Sequence, residues 1–376
     1  MCSVIQLGEP TPGAFTRFTS GSGGDNAGWS LAGGGADVNG DGKPDFVIGI
    51  PGAGPKSASS LPGTGRAVVV LGFQATNTQT LTLPSVSSSP DFLALNGTIL
   101  EGLFGDHVAL CDLDGDGFAD VVVAADGANL PLLYGAGQVY IVWGRSDIMQ
   151  AVQTGRYADL DNADPVYASR IPGPLGLGNF GSDIACAGDV DGDGFYDLVV
   201  GSRNATPPAY SNRSRAGSAH IIYGGHRSNF ALWSWSTSQF SVIWGTKGGD
   251  NFGTSVAGRV DVNGDGLMDI VIGAPQASPG VNFQAGEAFI VYGQRRFGVL
   301  DTAVVSPGTT PKYSKLLGLD VTQGNFGESV GGVGDFNADG AFCSLTFGFV
   351  AQQSVRTGLT CAGVCIGTLS FFRHRV

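Results

Sequence analysis

Aspartates recur at fixed spacing along this sequence, and together they could bind a hard metal cation. The stretch DVDGDGFYDLVVG, residues 189–201, places four aspartates within nine positions and then continues as a run of β-branched residues. Related stretches begin at 37, 112 and 261, and a partial one, DFNADGAFC, begins at 335. The first aspartates lie 75, 77, 72 and 74 residues apart. So steady a period indicates one supersecondary unit used five times.

The spacing D-x-[DN]-x-D-G-x-x-D suits calcium, which takes six to eight oxygen ligands. Side-chain oxygens stand at positions 1, 3, 5 and 9, a main-chain carbonyl at position 7 adds another, and the glycine at position 6 allows the sharp bend. We name the complete loops 1 (37–45), 2 (112–120), 3 (189–197) and 4 (261–269), and predict about four Ca²⁺ ions. The predicted side-chain ligands are Asp37, Asn39, Asp41, Asp45, Asp112, Asp114, Asp116, Asp120, Asp189, Asp191, Asp193, Asp197, Asp261, Asn263, Asp265 and Asp269. The predicted carbonyl ligands are those of Lys43, Phe118, Phe195 and Leu267.

Other interpretations of these loops fit less well. An EF-hand needs a glutamate at position 12 and a following helix, whereas position 12 here is Ile or Val within a predicted strand. Magnesium demands tighter octahedral geometry. Turns without metal need only one or two such residues, not four at fixed spacing. In the fifth loop Cys343 replaces the aspartate of position 9, so we expect weak binding there, if any.

The charge and composition bound the class of protein. The net charge is −12, and sixteen of the 32 acidic residues lie in the five loops, so the acidity is local. This balance argues against nucleic acid and against an anionic membrane surface as partners. Glycine is abundant, at 62 of 376 residues, which indicates many tight turns between short strands.

Cysteines and targeting signals are uninformative in this chain. The six cysteines share no repeat position, so they predict neither a disulfide framework nor a zinc site. The N-terminus lacks the pattern of a signal peptide, although the start of the chain could be incomplete. The mildly apolar segment 357–372 is short for a membrane span, and we expect no direct membrane insertion.

Each repeated unit predicts four short strands. Runs such as VVVLG (68–72) and FIVYG (289–293) recur at one offset, are too short for helices and end at glycine. Four strands per unit of about 70 residues is typical of a β-propeller blade. The predicted fold class is therefore all-β, a propeller of four-stranded blades with calcium-binding loops. The predicted propeller covers 1–340, with units near 26–100, 101–176, 177–248 and 249–322, a partial unit at 323–345, and an atypical tail at 341–376.

The repeated motifs resemble FG-GAP repeats, the blades of integrin α-subunit propellers and their integrin-like relatives. The resemblance rests on four Phe-Gly pairs, at 104, 180, 252 and 326, each followed by an acidic loop, and on VIGIP (47–51) and VIGAP (271–275). Unit 1 departs from it, with Ala27-Gly28 in place of Phe-Gly. The resemblance implies that each acidic loop joins the innermost strand of a blade to the next strand, and that its calcium is structural.

The number of blades stays open at this stage. Propellers of this family usually have seven blades, and about five are detectable here. In one hypothesis SVIQLG and AFTRF near the N-terminus supply the outer strands of a fifth blade and close a five-bladed ring. In the other the chain is a truncated longer propeller, since the family pattern stops sharply at residue 341.

We expect the function to lie in the loops that follow the VIGAP-like strands, at 51–65, 125–137, 202–217 and 274–286. These are the least repetitive parts of similar units, and loops on a rigid scaffold commonly carry recognition. The candidate partner-binding residues are Tyr134, Arg203, Tyr210, Arg213, Arg215 and Phe283. The alternative is that each aromatic ring merely covers its own loop.

The sequence therefore predicts a non-enzymatic, calcium-stabilised adhesion or interaction module at the cell surface or outside the cell, binding a protein or glycan. No phosphate loop, nucleophile elbow or HExxH motif occurs. A lectin-like propeller and a non-catalytic fragment of a larger protein or enzyme are the alternatives. Three N-x-[ST] sequons, at Asn96, Asn204 and Asn212, would make it a glycoprotein if the chain is secreted by a eukaryote.

Overall fold

Strands make up nearly all the regular structure of this chain in a computed structural model. The structure describes residues 4–5, 16–20, 23–54, 63–72, 79–83, 91–155, 157, 160–208, 211–231, 235, 239–296, 298–304, 312–318, 324–334, 343–350, 354–361 and 367–372. The strands are Val4–Ile5 (β1), Thr16–Thr19 (β2), Leu31–Ala32 (β3), Phe46–Ile50 (β4), Arg66–Val70 (β5), Gln79–Thr82 (β6), Phe92–Asn96 (β7), Val108–Cys111 (β8), Asp120–Ala125 (β9), Gln138–Val142 (β10), Ala168–Pro172 (β11), Phe180–Gly188 (β12), Asp197–Ser202 (β13), Ser218–Ile222 (β14), Phe240–Trp244 (β15), Ser255–Val260 (β16), Asp269–Ala274 (β17), Glu287–Val291 (β18), Val299–Asp301 (β19), Tyr313–Leu317 (β20), Ser329–Gly334 (β21), Cys343–Val350 (β22), Ser354–Cys361 (β23) and Gly367–Phe372 (β24). One short α-helix, α1 (Ile148–Gln153), and two 3₁₀ turns, Ser211–Arg213 and Arg227–Asn229, are the helical elements of the described residues.

The strands form five antiparallel four-stranded arrangements that repeat along the chain. Their strand orders are β3-β4-β5-β7 (blade 1), β8-β9-β10-β11 (blade 2), β12-β13-β14-β15 (blade 3), β16-β17-β18-β20 (blade 4) and β21-β22-β23-β24 (blade 5). Strand β19 adds to blade 3 in parallel with β15. These are the blades of a β-propeller, as the repeat predicted.

The chain divides into two compact units. Unit 1 comprises Met1–Gly173 and His226–Trp233 and contains blades 1 and 2. Unit 2 comprises Pro174–Gly225 and Ser234–Val376 and contains blades 3, 4 and 5.

The second strand of each of blades 1 to 4 forms the centre of the core. In blade 4 all six residues of β17, DIVIGA, are buried. Ile270 and Ile272 pack with Phe252 and Phe289, whereas Val271 packs on the other face with Ala257 and Ile290. A strand buried on both faces has no polar side to present, which explains why these runs are continuously apolar.

Within each unit, Phe-Gly pairs link one blade to the next. Phe252 is buried, its ring stands edge-on to Phe289 with centroids 5.0 Å apart, and its N–H donates to the Ala216 carbonyl at the end of the preceding blade. Gly253 has φ +84°, and a Cβ added at Gly201 would lie 2.1 Å from the Gly253 carbonyl oxygen. The motif therefore needs one glycine for its backbone angle and another for the close approach.

The strand pairing at the two ends of the chain contradicts the hypothesis that N-terminal strands close a five-bladed ring. Strands β22, β23 and β24, from the tail expected to be atypical, pair with β21 and complete blade 5. The N-terminal strands pair with each other and with β6 instead. The prediction that they supply the outer strands of blade 5 is therefore wrong, because β23 and β24 occupy those positions.

The cysteines also correct an expectation. Cys111 at the end of β8 and Cys186 in β12 are both disulfide-bonded. They stand at different offsets from the acidic loops that follow them, one and three residues before, so the repeat period could not indicate that they form disulfides.

Candidate metal centres

Each complete acidic loop joins the first strand of a blade to its second strand, as the resemblance implied. Loop 1 connects β3 to β4, loop 2 connects β8 to β9, loop 3 connects β12 to β13, and loop 4 connects β16 to β17. The fifth loop, including Asp335, Asn337 and Asp339, lies outside the described residues.

The first aspartate of each loop organises the turn around its carboxylate. In loop 3, Asp189 Oδ1 accepts hydrogen bonds from the N–H groups of Gly192 (2.7 Å) and Asp193 (3.1 Å), and Oδ2 accepts from Gly194 (3.0 Å). The same three bonds recur in loops 1, 2 and 4. The residues at positions 3 and 5 each accept from a backbone N–H two residues further on, so the chain curls around a common centre.

The carboxylates converge closely enough to share a cation. Oxygens of Asp112, Asp114 and Asp116 all lie within 4.8 Å of one another. Oxygens of Asp189, Asp191 and Asp197 do the same in loop 3. Ligands of one Ca²⁺, each at about 2.3–2.6 Å, stand no more than about 5 Å apart, so these all-oxygen donor sets fit a hard cation. The carbonyl ligands proposed at position 7, those of Lys43, Phe118, Phe195 and Leu267, stay predictions.

The aspartate at position 9 has a role beyond that of a ligand, which the sequence pattern did not reveal. In loop 3, Asp197 is buried and accepts from two backbone N–H groups, Val190 (2.8 Å) inside the loop and Gly224 (2.9 Å) just after β14. Asp45, Asp120 and Asp269 make the equivalent pairs of bonds. This residue therefore ties the loop to the end of the third strand of the same blade.

Burial of these carboxylates perturbs their protonation. It raises the pKa of Asp197 to about 8 and that of Asp269 to about 6, although two backbone donors oppose the shift in each case. Burial likewise raises the pKa of Asp45 and raises that of Asp120 well above its ordinary range. An ionised carboxylate in these positions is costly without a nearby positive charge, which a bound cation would supply.

Two arginines contact the loops, and sequence reasoning missed both. Arg296 donates from Nε to Asp191 Oδ2 (2.8 Å) and from Nη2 to Asp193 Oδ2 (3.1 Å). Arg227 makes the same pair of contacts with Asp114 and Asp116 of loop 2. Each arginine lies three residues after the glycine that follows a third strand, a shared offset that could have indicated them.

The candidate partner-binding residues fall into different environments. Tyr134 and Phe283 are exposed, at 72% and 56% of their surface. Arg203 and Arg215 lie together on a polar cavity of about 420 Å³ in unit 2, with Asn251, Gln276, Gln284 and Glu328 among its other lining residues. Tyr210 lies outside the described residues.

Arg213 does not belong to an exposed face. It is buried, its Nη1 donates to both carboxylate oxygens of Asp301 (2.9 and 2.8 Å), and its Nη2 donates to the Gly245 carbonyl oxygen (2.5 Å). Its guanidinium serves the interior of unit 2, and the inclusion of Arg213 in the partner-binding set is wrong.

One histidine and three large aromatic residues of the blades are buried and pack in the core. His220 is buried in β14, its ring centroid lies 5.3 Å from that of Phe180, and burial lowers its pKa to about 3. Trp143, Tyr223 and Trp244 at the strand ends are buried as well.

Comparison with known families agrees with this geometry. The family model described as FG-GAP repeat matches residues 27–70, 104–142, 180–222 and 252–292, which fall within blades 1 to 4 and include the Ala27-Gly28 departure. The chain contains four FG-GAP repeats. Its repeats are of the integrin α-like propeller kind.

Individual relatives of this FG-GAP protein are long proteins. The chain is 35% identical to integrin alpha-IIb of Mus musculus over 46% of the chain and 14% of that relative, and 26% identical to integrin alpha-PS2 of Drosophila melanogaster over 85% and 19%. It is also 26% identical to phosphatidylinositol-glycan-specific phospholipase D of Dictyostelium discoideum, over 55% and 21%. The chain thus spans at most about a fifth of the length of these three relatives. Within the described residues, no helix has the length and apolar character to cross a membrane.

Proposed function

We propose that this FG-GAP chain is a calcium-stabilised, non-enzymatic β-propeller module that binds a protein or glycan at the cell surface or outside the cell. The observation that carries the proposal is the repetition of one oxygen-lined turn, with the same backbone bonds, in four successive blades. A turn used once could be incidental, but four copies indicate a shared ligand.

Calcium would act in these loops as a structural cross-link. In loops 2 and 3, oxygens of three carboxylate groups lie within 4.8 Å of one another, and like charges at such distances repel one another strongly in a partly buried setting. A divalent cation bound between the carboxylates replaces this repulsion with a net attraction. The aspartate of position 9 would pass the effect on to the strands, since it bonds both the loop and the end of the third strand.

The partner surface would lie at the other end of the blades. The second strand of a blade begins at the acidic loop and ends at the loop to the third strand, so these two loops occupy opposite ends of the strand. In unit 2, Asn204 Oδ1 accepts from Arg215 Nε (3.1 Å) and from Asn251 Nδ2 (3.2 Å). Beside them, Gln284 Nε2 donates to Gln276 Oε1 (2.7 Å). Arginine and amide groups held in this way suit carboxylates or sugar hydroxyls.

Two features support an oxidising compartment. Cys111 and Cys186 are disulfide-bonded, and disulfides persist mainly outside the reducing cytosol. Of the three sequons, Asn212 is exposed, whereas the Asn96 and Asn204 side chains accept hydrogen bonds from Arg66 and Arg215. We therefore propose Asn212 as the favoured glycosylation position.

Calcium titration of the chelator-treated protein tests the proposal. We expect calorimetry to show about four sites in the range of roughly 10⁻⁴–10⁻³ M that extracellular modules use, together with a higher melting temperature in calcium. An unchanged melting temperature at 10-fold excess over that range would refute the structural role of the ion.

The partner surface needs its own test. The wild type and the double variant Arg203→Gln/Arg215→Gln would be compared on a glycan array and on a panel of immobilised matrix proteins, with Arg170→Gln as an arginine control outside the cavity. We expect at least one ligand to be lost by the double variant and kept by the control. Equal binding by all three proteins would move the partner surface elsewhere.

A further inference from the structure

The four complete loops fall into two classes that differ at position 3. Loops 2 and 3 carry Asp114 and Asp191 there and hold four aspartates each, whereas loops 1 and 4 carry Asn39 and Asn263 and hold three. The two loops with the additional carboxylate are the two that an arginine contacts.

The arginine of loop 3 is held in place from two sides. Its guanidinium bridges Oδ2 of Asp191 and Oδ2 of Asp193, while its carbon Cζ lies 4.7 Å from the centroid of the Tyr223 ring. Asp191 is buried, and Tyr223 is 3% exposed. Cation–π contact on a buried ring and charge-assisted bonds fix the position of the guanidinium.

Loop 2 repeats this arrangement with different residues. Arg227 bridges Asp114 and Asp116, its Nη2 also donates to the Gly144 carbonyl oxygen (3.1 Å), and its Cζ lies 5.4 Å from the centroid of the Trp143 ring. Trp143 and Tyr223 occupy the same place, immediately before the glycine that follows the third strand. The same arrangement therefore occurs twice, and we call it the arginine clamp: an arginine that bridges two carboxylates of a loop and lies against an aromatic ring.

Loops 1 and 4 lack the arginine clamp within the part of the chain that the structure describes. The only basic contact of loop 1 there is its own Lys43, half exposed, 3.3 Å from Asp41. In loop 4 the amide Nδ2 of Asn263 donates to Asp265 Oδ2 (2.9 Å), the oxygen that the arginine occupies at the equivalent aspartates of loops 2 and 3. In loop 4 the asparagine at position 3 thus donates to the carboxylate oxygen that an arginine contacts in loops 2 and 3.

We propose that Arg227 and Arg296 are charge-compensating clamps that hold loops 2 and 3 folded without a cation and make them the weaker calcium sites of the four. The backbone N–H groups of the loop bond the Oδ1 atoms, and the arginine bonds the Oδ2 atoms. A calcium ion would therefore share these carboxylates with a guanidinium, whose positive charge repels it. The claim that loops 2 and 3 bind calcium more weakly rests on the proposed function. The claim that the arginines hold these loops folded without a cation does not.

The test begins with Arg296→Gln, melted in chelator and titrated with calcium, with Arg227→Gln as its replicate in loop 2. The matched control is Arg145→Gln, because Arg145 also follows a third-strand glycine but pairs with Asp147, which belongs to no loop. We expect both clamp variants to melt several degrees lower in chelator than the control and to bind one calcium roughly tenfold more tightly.

A second variant keeps the inference falsifiable if Arg296→Gln folds poorly. Asp191→Asn gives loop 3 the composition of loops 1 and 4, so Asp191→Asn/Arg296→Gln should recover the melting temperature in chelator. Failure of that recovery, or a clamp variant that matches the control, would overturn the clamp. Weaker calcium binding by Arg296→Gln would overturn the competition. A wild type that binds no calcium would overturn the proposed function, and the melts in chelator would still decide the clamp.

Discussion

The aspartate at position 9 should stabilise the blade even without metal, and loop 4 allows this to be separated from the role of a ligand. Asp269 is fully buried and accepts from Val262 N–H and Gly293 N–H, both at 2.8 Å. Asp265 accepts from the N–H of Leu267 on an exposed turn. Loop 4 carries no arginine clamp among its described contacts, so Asp269→Ala and Asp265→Ala differ mainly in these backbone bonds.

The magnitude follows from the groups left unpaired. Two buried N–H groups without acceptors cost about 4 kcal/mol, at about 1–3 kcal/mol each. Removing a carboxylate whose pKa burial raises to about 6 returns about 3 kcal/mol near neutral pH. We therefore expect Asp269→Ala to lose about 1 kcal/mol in chelator, about 3 °C in melting temperature. Asp265→Ala should lower the free energy of unfolding by about 0.5 kcal/mol, because water can bond the exposed N–H of Leu267.

The assay is thermal melting of both variants and the wild type, in chelator and in calcium, with hydrogen exchange at the Gly293 amide as the local measurement. In calcium both variants should fall below the wild type, since each loses a proposed ligand. In chelator Asp269→Ala should melt lower than Asp265→Ala, and only Asp269→Ala should exchange faster at Gly293. Equal melting of the two variants in chelator would refute the anchoring role of position 9.

Three further predictions concern packing and pH. Gly273→Ala should lower the melting temperature strongly, because its Cβ would lie 1.9 Å from the Gly327 carbonyl oxygen; a melt within 1 °C of the wild type would contradict this. Burial raises the pKa of Asp250 to about 6, so the folded protein binds its proton more tightly and this residue should lower stability by up to about 3 kcal/mol as the pH rises from about 4 to 7, a slope that Asp250→Asn should remove in denaturant titrations. Burial lowers the pKa of His220 to about 3, so stability should fall by up to about 1.4 kcal/mol per pH unit below about 6.5; His220→Leu should abolish this loss, and an unchanged acid profile would exclude it.

The repeated blade and its acidic loops could be predicted because their decisive contacts are local. Asp189 bonds N–H groups three, four and five residues further along the chain, so a nine-residue pattern contains the whole turn. The apolar runs that follow the loops have no polar face, and this alone indicates strands buried on both sides. Pattern and period therefore sufficed for the blade and the turn of the loop, and the oxygen ligands stay predictions.

Other features depend on contacts that no short pattern contains. Arg213 lies in the same loop of the sequence as Arg203 and Arg215, at 202–217. It is nevertheless buried against Asp301, 88 residues away. The N-terminal strands had suitable sequences for the outer positions of blade 5, but β23 and β24 fill those positions. In both cases the outcome depended on competition for a partner, which the chain settles only when it folds.

The sequence by itself determined where the acidic loops lie, and the tertiary structure decided how each loop is anchored and compensated. Position 9 anchors loop 3 to Gly224, 27 residues from Asp197, and Arg296 reaches Asp191 across 105 residues. Charge and hydrogen-bonding capacity are properties of a residue type and can be read along the chain. Whether an opposite charge comes within 3 Å depends on how strands of successive blades are arranged, and only the folded protein fixes that distance.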